Sequence, residues 1–216
     1  TAYQGTKYRF RSVENVIEEL KMLKNEQGVT MTSFREGVAT LRKTRMKQIC
    51  QRMIEEELNL SWTCTATISS ADPEMFRLMK EAGCGLVMMG NRSGNPYDQD
   101  NMSEVTNQIT EVCRLCDEGN LNYNIGKIFG EPGETRETVE HKLNFLHSIN
   151  PSMANLRVGV SLMPGTEAAA IAKKEGLFND ESELVKPTFY IAEGVRDWIV
   201  DHLKEQVEKN PRWNLS

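Results

Sequence analysis

Three loops carry residue types that let a backbone approach a ligand. Gly90-Asn91-Arg92-Ser93-Gly94-Asn95 and Gly130-Glu131-Pro132-Gly133-Glu134-Thr135 are glycine-rich turns, and Met163-Pro164-Gly165-Thr166-Glu167 repeats the Pro-Gly pair. Glycine bends where other residues strain, and the N–H groups of such a turn, with the following helix N-terminus, can hold a carboxylate or a phosphate. Glycine and proline also close tight turns that bind nothing. The recurrence of Pro132-Gly133 and Pro164-Gly165 at equivalent places tips the balance toward a ligand.

Other residues have a chemical reading and a plainer one. Cys113 and Cys116 form a CxxC, which serves as a redox pair or as half of a metal site. The segment from Met102 to Glu118 instead reads as one helix with Val105, Ile109, Val112 and Cys116 on one face, so core packing is preferred. Lys127, near a strand end, suits a Schiff-base lysine if buried, but a lysine reaching solvent is the preferred reading. His141, His147 and His202 fall on expected helices away from strand ends, which makes them poor metal ligands or bases. Glu55-Glu56-Glu57 reads as a solvated helix face, and Met88, Met89 and Met163 as core filling or pocket lining.

The elements that must position these residues alternate. Val29 to Phe34, Leu60 to Thr67, Gly85 to Gly90, Asn122 to Gly130 and Met153 to Met163 read as strands rich in β-branched and aromatic residues. Amphipathic helices lie between them. Ser12 caps a helix carrying Val13, Val16, Ile17, Leu20 and Leu23, with Gly28 placed to end it. Asp72-Pro73 starts another that Gly83 stops, and further helices carry Met46 to Ile54, Val139 to Leu146 and Glu167 to Lys174. Toward the end, Pro187 to Ile191 is a short strand or ordered loop, and Val195, Trp198, Ile199, His202 and Leu203 define one more helix ending before Pro211.

Strands joined through helices run parallel, so the fold class is α/β with helices outside a parallel sheet. Periodicity alone does not choose between a closed barrel, an open partial barrel and a doubly wound sheet. In each of these, ligands gather at the carboxyl ends of the strands, where the three loops fall. The chain opens on a helix with no strand before it, and a strand preceding Thr1 is expected.

The 216 residues, 39% hydrophobic and 26% charged, suit a globular domain rather than a disordered chain. The formal net charge is −5, with 26 basic residues scattered against 31 acidic ones, which argues against a nucleic-acid partner. No apolar run approaches the ~20 residues of a membrane span, and no signal peptide opens the sequence. An odd set of five cysteines at irregular spacing fits reduced thiols and a cytoplasmic protein. A single domain over 1–216 is expected, with an entry loop at 1–12, βα units over 13–176 and a C-terminal extension over 177–216.

Five motifs in order carry a resemblance. They are Tyr8-Arg9-Phe10-Arg11-Ser12-Val13-Glu14-Asn15-Val16, Leu60-Ser61-Trp62-Thr63-Cys64-Thr65, Ala82-Gly83-Cys84, the Gly130-to-Thr135 turn with Thr138, and Pro164-Gly165-Thr166. Across nearly the whole chain the sequence resembles radical S-adenosylmethionine (SAM) enzymes. The resemblance is strongest to the cobalamin-dependent subgroup, which includes anaerobic oxidative cyclases of magnesium-porphyrin synthesis and various methyltransferases. It implies a partial parallel (β/α) TIM-like barrel of about six units. It also implies a [4Fe–4S] cluster held by a CxxxCxxC loop after the first strand, and SAM chelated at the open iron. Reductive cleavage of SAM to a 5′-deoxyadenosyl radical then acts on a small-molecule substrate, and cobalamin belongs to the subgroup.

This sequence has no CxxxCxxC, and the resemblance places that motif just before Thr1. The expectation is therefore a core piece that holds no cluster ligands and cannot run the reaction alone. By position, Ser33, Glu36, the backbone of Gly90, Asn91, Arg92 and Ser93, and the turn Gly130, Glu131, Pro132 and Gly133 would contact the cofactor. Met163, Pro164, Gly165 and Thr166 would face the substrate. Three positions depart from the family pattern: Glu36-Gly37 where Asp-Asp is usual, Thr67 where Arg is common, and Arg92 in place of the Glu of a Gly-x-Glu-Ser-Gly turn. A guanidinium donates hydrogen bonds and cannot accept them as a carboxylate does. The rival reading these departures raise is a diverged, non-catalytic binding protein of the same fold.

Overall fold

The computed structural model describes residues 9–35, 37–90 and 99–216. They divide into two compact units, residues up to 125 with 151–153, and residues 126–150 with 154–216.

The first unit begins with α1 (Val13–Gln27). The Ser12 hydroxyl accepts from the Asn15 N–H at 3.1 Å, and Gly28, at φ 64°, ends the helix in the left-handed region. There follow β1 (Met31–Phe34), α2 (Lys43–Glu55), β2 (Ser61–Ala66), α3 (Pro73–Glu81), β3 (Cys84–Gly90), α4 (Gln99–Glu118) and the start of β4 (Tyr123–Phe129). Asp72 caps α3 through the Met75 N–H at 2.8 Å, with Pro73 in the first turn. The alternation therefore gives the elements the sequence predicts.

β1 and β2 pair in parallel from Met31–Ser61 to Phe34–Cys64, and β2 pairs in parallel with β3 across a register shift at Trp62/Thr63. Side chains alternate in burial along β2. Trp62, Cys64 and Ala66 are buried, and Phe34 meets Trp62 edge-on at 5.1 Å. The Trp62 indole donates to the Ala82 carbonyl at the end of α3, at 2.8 Å. Ser61, Thr63 and Thr65 take the other face and are more exposed. Gly83 does more than stop α3. Its φ is +94°, and a Cβ there would lie 2.2 Å from the Leu60 carbonyl oxygen, so only glycine lets the chain pass beside the start of β2.

The second unit holds the rest of β4, then α5 (Arg136–Ile149), β5 (Met153–Val158), β6 (Val160–Ser161), α6 (Glu167–Lys174), β7 (Phe189–Tyr190), α7 (Glu193–Arg196), α8 (Ile199–Lys209) and β8 (Trp213–Leu215). Thr135 and Thr138 form a reciprocal capping box that starts α5. The expected strand from Met153 to Met163 is two strands. At Gly159, with φ +87°, the backbone N–H turns to the Phe129 carbonyl at 2.8 Å, and the chain then pairs antiparallel with β7. The Pro187–Ile191 segment thus supplies a short strand, outside the main sheet.

The last expected helix is also divided. Trp198 leaves helical geometry, its indole donates to the Gly194 carbonyl at 3.1 Å, and the Arg136 guanidinium stacks 3.9 Å above its ring. β8, which pairs in parallel with β5 from Ala154–Trp213 to Leu156–Leu215, has no counterpart in the sequence reading. Its three residues are too short to show periodicity. In hydrogen-bonding order the six-stranded sheet runs β1-β2-β3-β4-β5-β8. Among the described residues no helix is long and apolar enough to cross a membrane.

Candidate functional site

In the first unit, Ser33 lies near the carboxyl end of β1, and its hydroxyl oxygen accepts from Thr63 Oγ1 at 2.9 Å. Both belong to the polar face of the strands. Gly90 ends β3. Glu36, Asn91, Arg92 and Ser93 lie outside the described residues. Gly37 has open space where a side chain would stand. Thr67 follows β2, its hydroxyl 3.2 Å from that of Ser69 and its carbonyl accepting from Ser70 Oγ at 2.7 Å, so it serves the loop itself.

Two cavities open in this unit. One of about 430 Å³ runs between α1 and β1 and is lined by Val16, Leu20, Ser33, Phe34 and four arginines, Arg9, Arg11, Arg35 and Arg45. The other, about 380 Å³, lies among Leu60, Ser61, Ala82 and Gly83 at the amino ends of β2 and β3. Ligands of parallel α/β proteins bind at the opposite, carboxyl ends, so only the first touches a predicted site residue.

In the second unit the turn after β4 is braced from several sides. Glu134 is buried, with a side chain 2% exposed, and one carboxylate oxygen accepts from the Gly130 N–H and, at 3.2 Å, from the Glu131 N–H. Lys142, from the middle of α5, donates to the Ile128 carbonyl at 2.8 Å and to Glu131 Oε2 at 2.7 Å, and it forms an ion pair with the other oxygen of Glu134. The Gly130 carbonyl accepts from the Ala192 N–H at 3.0 Å, Ile191 packs against Gly130, and Gly194 sits against the Glu134 carbonyl. Two of the backbone donors expected to hold an anionic ligand group are therefore engaged inside the protein. The N–H groups of Gly130 and Glu131 are spent on Glu134 and are not free to donate elsewhere.

Glu134 and Lys142 had no assigned role in the sequence reading. Lys142 did carry a signal, because it sits beside Leu143 within the Val139, Leu143, Leu146 stripe, where a charged residue needs a partner. Met163 to Thr166 follow β6. Thr166 Oγ1 donates to the Met163 carbonyl at 2.7 Å and caps α6 through the Ala169 N–H, while Glu181 accepts from the Gly165 N–H at 3.2 Å.

Lys127 is half-buried and not the freely solvated lysine expected. It lies on the same face of β4 as the buried Ile125 and Phe129, with its ammonium 5.0 Å from the Phe145 ring centroid. Desolvation, aided by Lys142 and opposed by Glu131, lowers its pKa to about 8. Glu56 also departs from a simple solvated face, since it pairs with both Lys21 and Arg52.

All five cysteines are buried and none is in a disulfide. Burial pushes Cys50 and Cys116 up to about 12 and Cys113 to about 11, so they remain protonated and packed in the core, as preferred for the CxxC. Among the described residues no group of three or more His, Cys, Asp or Glu is placed to hold a metal ion. These thiols do not fit an iron–sulfur cluster, which needs accessible thiolates converging on one point.

Residues 1–146 match the family model of the radical SAM superfamily. The chain is 30% identical over 164 residues to an uncharacterized methyltransferase of Pyrococcus horikoshii, covering 75% of this chain and 36% of that protein. It is 24% identical over 154 residues to the anaerobic magnesium-protoporphyrin IX monomethyl ester cyclase of Cereibacter sphaeroides, covering 68% of this chain and 25% of the cyclase. The chain thus spans about a third of one relative and a quarter of the other. Its fold matches the radical SAM methyltransferase TsrM of Kitasatospora setae, solved with cobalamin and a [4Fe–4S] cluster, at a TM-score of 0.79 and 18% identity, over 98% of this chain and 50% of that one. The fold class is that of the partial parallel TIM-like barrel. With a family model covering most of its length, the chain belongs to the radical SAM superfamily.

Proposed function

We propose that this chain is the core portion of a radical SAM enzyme whose cluster ligands lie outside residues 1–216, and that the whole protein acts in the cytoplasm on a small-molecule substrate. The observation that carries this reading is the family match over residues 1–146, within which Ser33, Gly90 and Gly130 lie at or next to the carboxyl ends of β1, β3 and β4. The core-packed thiols support a cluster held elsewhere. Cluster and cofactor together supply reductive cleavage of SAM and abstraction of a substrate hydrogen.

The chain's own residues bind and orient. Ser33, oriented by Thr63, offers a hydroxyl on the polar strand face, and Glu36 and the Gly90–Ser93 loop supply the further contacts of this reading. The Gly130–Gly133 turn presents a fixed backbone edge, and Met163 to Thr166 face the substrate. The methyltransferase and cyclase relatives, with the cobalamin of TsrM, support a cobalamin-using parent.

The second reading is a protein that binds SAM without cleaving it. It is favoured by Gly37, with no side chain to accept from an ammonium, and by Thr67, turned to its own loop. The full-length protein, reconstituted anaerobically with iron and sulfide and reduced with dithionite, should release 5′-deoxyadenosine from SAM, measured by liquid chromatography and mass spectrometry. Alanine at the upstream cysteines should abolish that release. Binding of SAM without cleavage by the loaded protein would replace the first reading with the second.

A further inference from the structure

We propose that Lys142 is a positioning residue for the cofactor rim: its ammonium, reaching out of α5, fixes where the Gly130–Gly133 turn stands. The inference rests on the reading of that turn as a SAM contact.

The geometry is a three-point clamp. Lys142 donates two hydrogen bonds, to the Ile128 carbonyl at 2.8 Å and to Glu131 Oε2 at 2.7 Å, and forms an ion pair with the Glu134 carboxylate. Those groups are the end of β4, the outer side of the turn and the buried carboxylate that holds the Gly130 and Glu131 N–H groups. The Glu134 side chain is only 2% exposed, so its charge has no water to replace its partner, and that of Lys142 is 18% exposed. Without Lys142, Glu134 is an uncompensated buried carboxylate, and its hold on the two turn amides is no longer set in place. The stem of Lys142 also passes the Phe129 ring, with the ammonium 5.5 Å from its centroid, so a methionine keeps the packing and removes only the clamp. The position of the turn is thus set by a side chain from the helix that follows it.

The test uses the full-length protein with a reconstituted cluster, comparing wild type, Lys142→Met, Lys142→Arg and Glu131→Gln. Two quantities are read: amide hydrogen exchange of the peptide spanning 128–134 without SAM, and the dissociation constant of SAM by equilibrium dialysis. In Lys142→Met the 128–134 peptide should exchange at least tenfold faster while peptides from β5 and α8 stay as protected as in wild type, and SAM should bind about tenfold more weakly. Lys142→Arg, which keeps the charge but spreads its donors, should recover most of the affinity. If Lys142→Met fails to fold, Glu131→Gln, which leaves Lys142 paired with Glu134 and Ile128, carries the test, with faster exchange confined to the same peptide and about threefold weaker binding expected.

Unchanged SAM affinity beside a loosened turn would overturn the proposal. So would exchange that rises throughout the unit, which is the signature of a merely structural lysine. A wild-type protein that holds its cluster but binds no SAM would fail the underlying reading first, before any variant is compared.

Discussion

The turns at Pro132-Gly133 and Pro164-Gly165 share a dipeptide and nearly the same glycine conformation, φ 73° at Gly133 and 74° at Gly165. Their surroundings are opposite. The first is gripped by a buried carboxylate, an ammonium from α5 and the Ile191–Gly194 segment. The second is open, with no atom within 4 Å of where a Gly165 Cβ would stand, and its outside tether is one exposed hydrogen bond from the Gly165 N–H to Glu181. Local sequence sets the bend of a turn. Its rigidity comes from which distant side chains reach it, and two turns of one composition can sit at opposite ends of that scale.

The largest expected effect separates the two turns outright. Glu134→Ala removes the acceptor of two turn amides and the inner partner of Lys142, and should cost about 3 kcal/mol of stability in urea unfolding. A cost near that of an exposed substitution, within about 0.5 kcal/mol, would mean that the first turn is no more braced than the second.

Alanine at Gly130 and at Gly165 compares them more directly. Both Gly130 and Gly165 have positive φ, so each alanine carries a similar backbone strain of about 1 kcal/mol. At Gly130 the new Cβ also stands 3.0 Å from Ile191 Cγ2, and the total should reach about 2–3 kcal/mol. Gly165→Ala should show the strain alone, so equal losses by urea midpoint would remove the distinction.

Below the braced turn, β4 carries a cost that the open turn lacks. The folded protein holds Lys127 at about 8, against an ordinary 10.5, because burial and Lys142 disfavour its charge. Between those values the unfolded chain binds more protons, so this lysine's contribution makes stability rise with pH through that window, and its penalty is complete below pH 8. Lys127→Met should therefore stabilise the protein by about 2 kcal/mol at pH 7. The advantage over wild type should shrink as pH climbs from 8 to 10.5. An advantage that stays flat across that range would show that Lys127 is not held neutral by its surroundings.

The same contrast explains what the sequence could and could not reveal. Strand and helix positions were legible because periodicity and caps are local: Ser12, Gly28, Asp72 and Thr135 all do what their types suggest. Gly159 was not legible as the end of β5, because its role depends on the Phe129 carbonyl from another strand. β8 was hidden by its brevity. For the site, the turn at Gly130 was visible and its bracing was not: the charge of Lys142 within an apolar stripe calls for a partner without naming one, and nothing in the type of Ile191 marks it as packing on the turn. Lys127 was misjudged for a related reason. A lysine on a strand reads as exposed until the ring it lies against, here Phe145 from α5, is known.

The smallest expected effect tests the open turn at its tether. Glu181 is half-buried, but the bond it accepts from the Gly165 N–H at 3.2 Å is exposed, so water stands ready to replace it. Removing an exposed hydrogen bond exchanges one solvated partner for another, and Glu181→Ala should cost at most about 0.5 kcal/mol. Thr166 still caps α6 and still donates to the Met163 carbonyl, so the bend itself should survive. The change should appear as severalfold faster exchange of the Gly165 amide, with the helical amides of α6 unmoved. If Glu181→Ala instead destabilises the protein as much as Glu134→Ala, the second turn is braced after all, through a network that its open surroundings do not suggest, and the contrast between the turns collapses.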